Sequence, residues 1–172
     1  MNNALISIKP EYVRMILCGE KSIEIRNRSV NLGPGTRLWI YSTLPKGRVE
    51  AVARIRFVRV DSPSVIWKQY SNNIGISLKA FLSYVNGSRR VSAVFLDHVY
   101  ELKPALTLAD LRSQINGFQP PQFLKRIEPV SPLMNLLRTR KVKLTHTSGL
   151  PIAGGGQKKL DQHLSVAERD LT

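Results

Sequence analysis

Four polar residues near the start of the chain, Lys9, Lys21, Glu24 and Arg26, are of the types that hold a nucleotide. Lysine and arginine donate to phosphate or carbonyl oxygens, and a glutamate accepts from an amine such as the exocyclic amine of cytosine. Glu24 and Arg26 stand two apart in a segment, residues 22–26, that alternates strictly between polar and apolar. In an extended strand their side chains share one face, and Ile23 and Ile25 point the other way, to the core. A carboxylate set among cations offers a hydrogen-bond acceptor inside a field of donors. The plainer reading of the same spacing is a surface salt bridge between Glu24 and Arg26, which contributes little. Spacing alone favours that plainer reading.

The elements around these residues decide whether they converge. Residues 4–8 read as a short strand, and Pro10 suits the first turn of a helix over residues 10–18, with Val13, Ile16 and Leu17 as its apolar stripe and Gly19 as its stop. Lys9 therefore stands at a strand-to-helix corner, and Lys21 follows a tight turn. Residues 31–35 form a turn, residues 37–42 an apolar strand, and Pro45, Lys46 and Gly47 another turn. From Val49 to Phe57 the odd positions are apolar, then the phase moves to Val58 and Val60. Such a slip predicts a bulge or bend that curls a sheet toward a barrel. Short helices are expected at 63–70, 77–85, 108–115 (capped by Thr107) and from Ser131 onward, with Leu133, Leu136 and Leu137 buried, and a long central strand at 91–102. The sum is an α+β fold: a partly closed β-barrel of five or six mostly antiparallel strands flanked by short helices.

Lys and Arg number 26 against 12 Asp and Glu, a formal charge of +14. This balance favours anionic partners such as nucleic acid. Of these residues 21 basic and 9 acidic precede residue 141, so the excess belongs to the folded part. The domain is expected to span residues 1–140, and residues 141–172 read as a flexible polar tail with a glycine run at 154–156 and a short helical turn at 163–169. One cysteine, Cys18, excludes an internal disulfide and is expected to be a buried, inert thiol. His98, His146 and His163 lack metal-site spacing, and His98 reads as a hydrogen-bonded structural residue; no metal and no cofactor are expected. With neither a secretory signal nor a membrane span in the sequence, the expectation is a soluble, cytoplasmic protein. Among the aromatic residues Tyr12, Trp39, Tyr41, Trp67, Tyr70 and Tyr84, Tyr41 at a strand end is the best candidate for stacking on a base.

Residues 19–26, Gly-Glu-Lys-Ser-Ile-Glu-Ile-Arg, resemble the G-x-K-x-x-E-x-R signature of ASCH domains, a branch of the PUA-like superfamily. The lead-in at 7–12, the strand Leu-Trp-Ile-Tyr-Ser at 38–42 and the Pro-Pro-Gln-Phe segment at 120–123 are similar to the family's opening, following strand and closing segment. The resemblance spans roughly residues 4–126. It implies a small β-barrel with a cleft that binds RNA or a nucleotide, lined by Lys9, Lys21, Glu24, Arg26, Ser42 and Gln122, with Tyr41 added as the stacking residue. Some relatives are similar to enzymes that hydrolyse acetylated cytidine through a lysine, a threonine and a glutamate. Lys21 matches that lysine, but Glu24 stands at the threonine's position and residues 72–77 hold no acid. The leading expectation is thus an RNA- or nucleotide-binding module. The alternative is a hydrolase acting on a modified nucleoside or on RNA, with Lys21 and Glu24 as the catalytic acid–base pair.

Overall fold

A computed structural model of the chain describes residues 2–147. Strand β1 (Asn3–Ile8) leads directly into helix α1 (Pro10–Leu17), followed by β2 (Ile23–Arg26), β3 (Arg37–Ser42) and the 14-residue β4 (Arg48–Asp61). Helices α2 (Pro63–Ile74) and α3 (Leu78–Val85) precede the 17-residue β5 (Val91–Thr107). The chain continues through α4 (Leu108–Gln114), β6 (Leu124–Ile127), α5 (Pro132–Arg138) and β7 (Lys141–His146). Serine or threonine hydroxyls cap α2 to α5, and Thr107 and Asp110 form a reciprocal capping box on α4, as the sequence pattern requires.

The strands form one mixed sheet in the order β2-β5-β4-β3-β1-β6, with β7 pairing along β5 beyond β2. All pairings are antiparallel except β1 with β3. Register shifts between β4 and β5 fall at Val49/Ala51, Val52/Arg54 and Ile55/Phe57, and the last coincides with the phase slip in the sequence. These irregularities curl the sheet into a half-barrel. Two strands exceed what the periodicity indicated. Leu124–Ile127 is too short to alternate visibly, and β7, though Val142 and Leu144 alternate with Lys141 and Lys143, lies in the segment read as a polar tail and leaves both apolar residues partly exposed. The sheet thereby runs to His146, past the boundary expected at residue 140. The helical turn expected at 163–169 lies outside the described residues.

Three apolar cores divide the described residues. The inside of the curl packs Ala4, Ile6, Leu38, Ile40, Ala53, Ile55 and Leu96 under Val13 and Ile16 of α1. The opposite face packs Leu5, Trp39, Val52 and Leu102 against α4 and α5 through Leu111, Leu133 and Leu137. A third core joins Ile23 and Ile25 of β2 to Ile66, Ile74 and Phe81 of α2 and α3. No helix among the described residues is long and apolar enough to cross a membrane.

Candidate functional site

The polar cluster lies where the curl fails to close. No backbone ladder joins β2 to β1 among the described residues. Instead Arg26 of β2 reaches across, its Nη2 donating to the backbone oxygen of Ser7 at 2.8 Å. With Ile23 and Ile25 committed to the helices on one side, alternation turns Glu24 and Arg26 into this seam, and they are buried there rather than exposed. Glu24 Oε1 lies 3.0 Å from Arg26 Nη2, and Oε2 lies 3.2 Å from Lys21 Nζ. Lys21 Nζ also donates to the carbonyls of Ile23 (2.8 Å) and Ile74 (2.6 Å). Its three protons therefore all have partners. The Ile74 carbonyl belongs to the C-terminal end of α2, whose dipole favours a cation.

Gly75 explains how α2 comes so near. It ends the helix in the left-handed region at φ 71°, and a Cβ there would stand 2.9 Å from Lys21 Cβ. Ser22 also donates its N–H to the Asn73 carbonyl at 3.1 Å, so the end of α2 clasps the start of β2. The aromatic rings of Tyr12 and Phe123 complete the surroundings, 5.5 Å from Lys21 Nζ and 5.3 Å from Arg26 Cζ respectively.

Above this floor opens a pocket of about 480 Å³. Ser7, Ile8, Lys9 and Tyr12 form one side, Lys21 and Glu24 to Arg26 the base, and Ile76 with Ala80, Ser83 and Tyr84 of α3 the other side. Two cations on one carboxylate leave a formal charge of +1 at the base. A carboxylate can accept about four hydrogen bonds, so Glu24 retains acceptor capacity beyond its two ion pairs. Arg26 Nε is buried with no partner among the described residues.

Of the seven residues expected at a binding site, the structure brings Lys9, Lys21, Glu24 and Arg26 around the pocket. The other three lie elsewhere. Tyr41 is 2% exposed and packs in the core beneath α4 and α5, where burial pushes its phenol pKa up against a smaller opposing effect of Arg112. It offers no face for stacking; the strand-end position suggested access, but the opposite sheet face is covered. Ser42 is fully buried, its hydroxyl without a partner among the described residues, and Gln122 is exposed outside the pocket lining. Cys18 is exposed at the end of α1, not buried, because the helix turns its Val13–Ile16 stripe inward and leaves position 18 outside. His98 sits at a bend of β5 with φ 47°, its Nδ1 2.9 Å from Asp97 Oδ2. Sequence reasoning missed the α3 side of the pocket. Tyr12 and Tyr84 were visible only as two aromatics among six, since nothing local says which helix will fold over the seam.

Comparison with known proteins places the chain. No family model matches it. A curated protein of Zymomonas mobilis, named ASCH domain-containing ribonuclease, is 29% identical over 121 residues, covering 70% of this chain and 81% of that one. A crystal structure of ASCH from Zymomonas mobilis superposes with a TM-score of 0.75 at 25% identity, over 81% of this chain and 96% of the other. In both sequence and fold the chain is similar to ASCH domains. A crystal structure of a Pseudomonas putida protein shares the fold alone, with a TM-score of 0.50 at 12% identity over 79% of this chain and 97% of that one. The ASCH signature-like segment 19–26 is thus the one that supplies Lys21, Glu24 and Arg26 to the seam of the half-barrel.

Proposed function

We propose that this ASCH-like domain binds single-stranded RNA by taking one nucleotide into the seam pocket, base first. The observation that carries the reading is Glu24, a buried carboxylate fixed by Lys21 and Arg26 with acceptor capacity left toward the pocket. A phosphate at the base would face that carboxylate and find the Lys21 protons already engaged, whereas a base edge brings N–H groups that Glu24 accepts. Aromatic rings of Tyr12 and Tyr84 on the pocket walls suit a planar group. The phosphate then lies at the rim, beside the exposed Lys9.

A second reading, cleavage of the bound RNA, is favoured by the name of the Zymomonas mobilis relative, a ribonuclease. In this chain Glu24 would be the group that accepts the proton of an attacking hydroxyl, because Lys21 has no free lone pair while its ammonium holds three acceptors. The same engagement weighs against a lysine-dependent hydrolysis of acetylated cytidine.

Both readings are tested by titrating a labelled single-stranded oligoribonucleotide with the full chain and with Glu24→Gln and Lys9→Ala over a series of salt concentrations. Glu24→Gln should weaken binding by about tenfold or more at every salt concentration, and Lys9→Ala should reduce the slope of log affinity against log salt by about 1. Unchanged affinity in a folded Glu24→Gln variant would overturn the pocket as the RNA site. Shortened RNA on a gel, lost in that variant, would decide for cleavage.

A further inference from the structure

Tyr84 projects from α3 onto the pocket and remains 41% exposed. Its hydroxyl oxygen accepts from the backbone N–H of Asn27, the residue that follows β2, which pins the phenol beside Arg26 and Glu24. One hydroxyl proton is left to donate. Burial raises the phenol pKa above its ordinary value, with Arg26 opposing in part, so the proton stays on at neutral pH. Next to it, Arg26 Nε is a buried donor with no acceptor among the described residues, an uncommon state in a folded protein. Glu24 supplies an acceptor.

We propose that these three groups, two donors and one acceptor, select a pyrimidine, and that Tyr84 is the residue that sets the preference. The inference rests on the nucleotide-binding reading above. It follows from counting along the pairing edges of the bases. Cytosine presents an amine and two acceptors, N3 and O2; uracil presents one N–H between two carbonyls. Both complement two donors and an acceptor. Guanine carries two N–H groups and one carbonyl, the reverse pattern, and adenine lacks the second acceptor. Guanine can offer two acceptors, O6 and N7, only on an edge that has no N–H for Glu24, so a purine leaves one of the three groups without a partner, which is how hydrogen-bonding sites reject a near-isosteric ligand. The order of the three groups suits cytosine, whose amine lies at one end of the edge, or uracil, whose N–H lies in the middle, and the count sets either apart from the purines. Tyr84 differs from the other two groups in being unnecessary to the buried cluster, so its hydroxyl can be removed alone.

The test is equilibrium binding of the four ribonucleoside monophosphates to the full chain, to Tyr84→Phe and to Glu24→Gln at one salt concentration. For the unaltered chain, the cytidine or the uridine nucleotide should bind about tenfold more tightly than the guanosine nucleotide. Tyr84→Phe keeps the ring and should weaken the favoured pyrimidine nucleotide by about fivefold and the purines less, a shift of preference that loss of packing would not give. Equal binding of all four by the unaltered chain, or an unchanged preference in Tyr84→Phe, overturns the assignment and leaves the nucleotide site standing. No binding of any of the four, with Glu24→Gln indistinguishable, overturns that reading and this inference together.

Discussion

Two ion pairs in this molecule are nearly the same object on paper. Glu24 with Arg26 on β2 and Arg59 with Asp61 on β4 each set a carboxylate and a guanidinium two residues apart on a strand, at 3.0 and 2.9 Å. The side chains of the first pair are each 9% exposed, and those of the second are 32% and 34% exposed. Arg59 extends to Gln69 and Tyr70 of α2, neighbours on one open surface. Glu24 and Arg26 instead face across an unpaired seam, with Lys21 brought in by the end of α2 and Ser7 by the end of β1. The difference teaches that the pairing is a property of strand spacing, while the pocket is a property of where the sheet stops closing. It also predicts different consequences for breaking each pair.

The largest effect should come from removing the carboxylate at the seam. Glu24→Ala leaves two buried cations without their common anion and should destabilise the fold by about 3–5 kcal/mol in denaturant titration. A loss no greater than a surface substitution gives would mean that the cluster is hydrated and that the two pairs are alike after all. Next comes Gly75→Ala, which places a Cβ in the left-handed region and against Lys21 Cβ. It should lower stability by about 1–3 kcal/mol and weaken RNA binding as Lys21 and Glu24 shift, whereas an Ala at the open Gly87 turn should affect stability only. Parallel stability and binding losses at both glycines would sever the proposed link between the end of α2 and the pocket.

The smallest effect belongs to Asp61→Asn, which should move the thermal midpoint less than either change above, and less still at high salt. A hydrogen bond from Arg59, then one from the Ser62 backbone, hold the Asp61 carboxyl pKa below its ordinary value. A depressed carboxylate contributes stability that is present above its unfolded pKa, about 3.9, and is lost as pH falls through the lower folded value. The acid limb of the stability profile should therefore soften slightly in Asp61→Asn. An identical acid limb in the two proteins would remove Asp61 from the account.

Much of the fold was legible because its signals are local. Ser62, Ser77, Thr107 and Ser131 cap helices through a hydroxyl and a backbone N–H three residues on, and such contacts need no distant partner. The phase slip after Phe57 marked a bulge for the same reason. Strands β6 and β7 escaped notice because their residues gain a place only by pairing with β1 and β5, more than 40 residues away in β7's case at Thr145 and Val99. Within the site, Glu24 and Arg26 were legible from alternation, but the spacing favoured a surface pair and the fold buried it. Tyr41 and Tyr84 reversed their expected standing for one reason: exposure of an aromatic ring depends on which helix covers which face.

By itself the sequence determined the chemistry of the pocket floor, a carboxylate between an arginine two residues on and a lysine three residues back, because a strand's alternation and a glycine turn fix those side chains over a few bonds. Tertiary structure alone decided that they are buried, that a carbonyl of α2 takes one of the lysine's protons, and that α3 brings Tyr84 over them. Those outcomes depend on how far a bulged sheet curls before its edges meet, a sum of small backbone rotations along β4 and β5 that no short segment encodes.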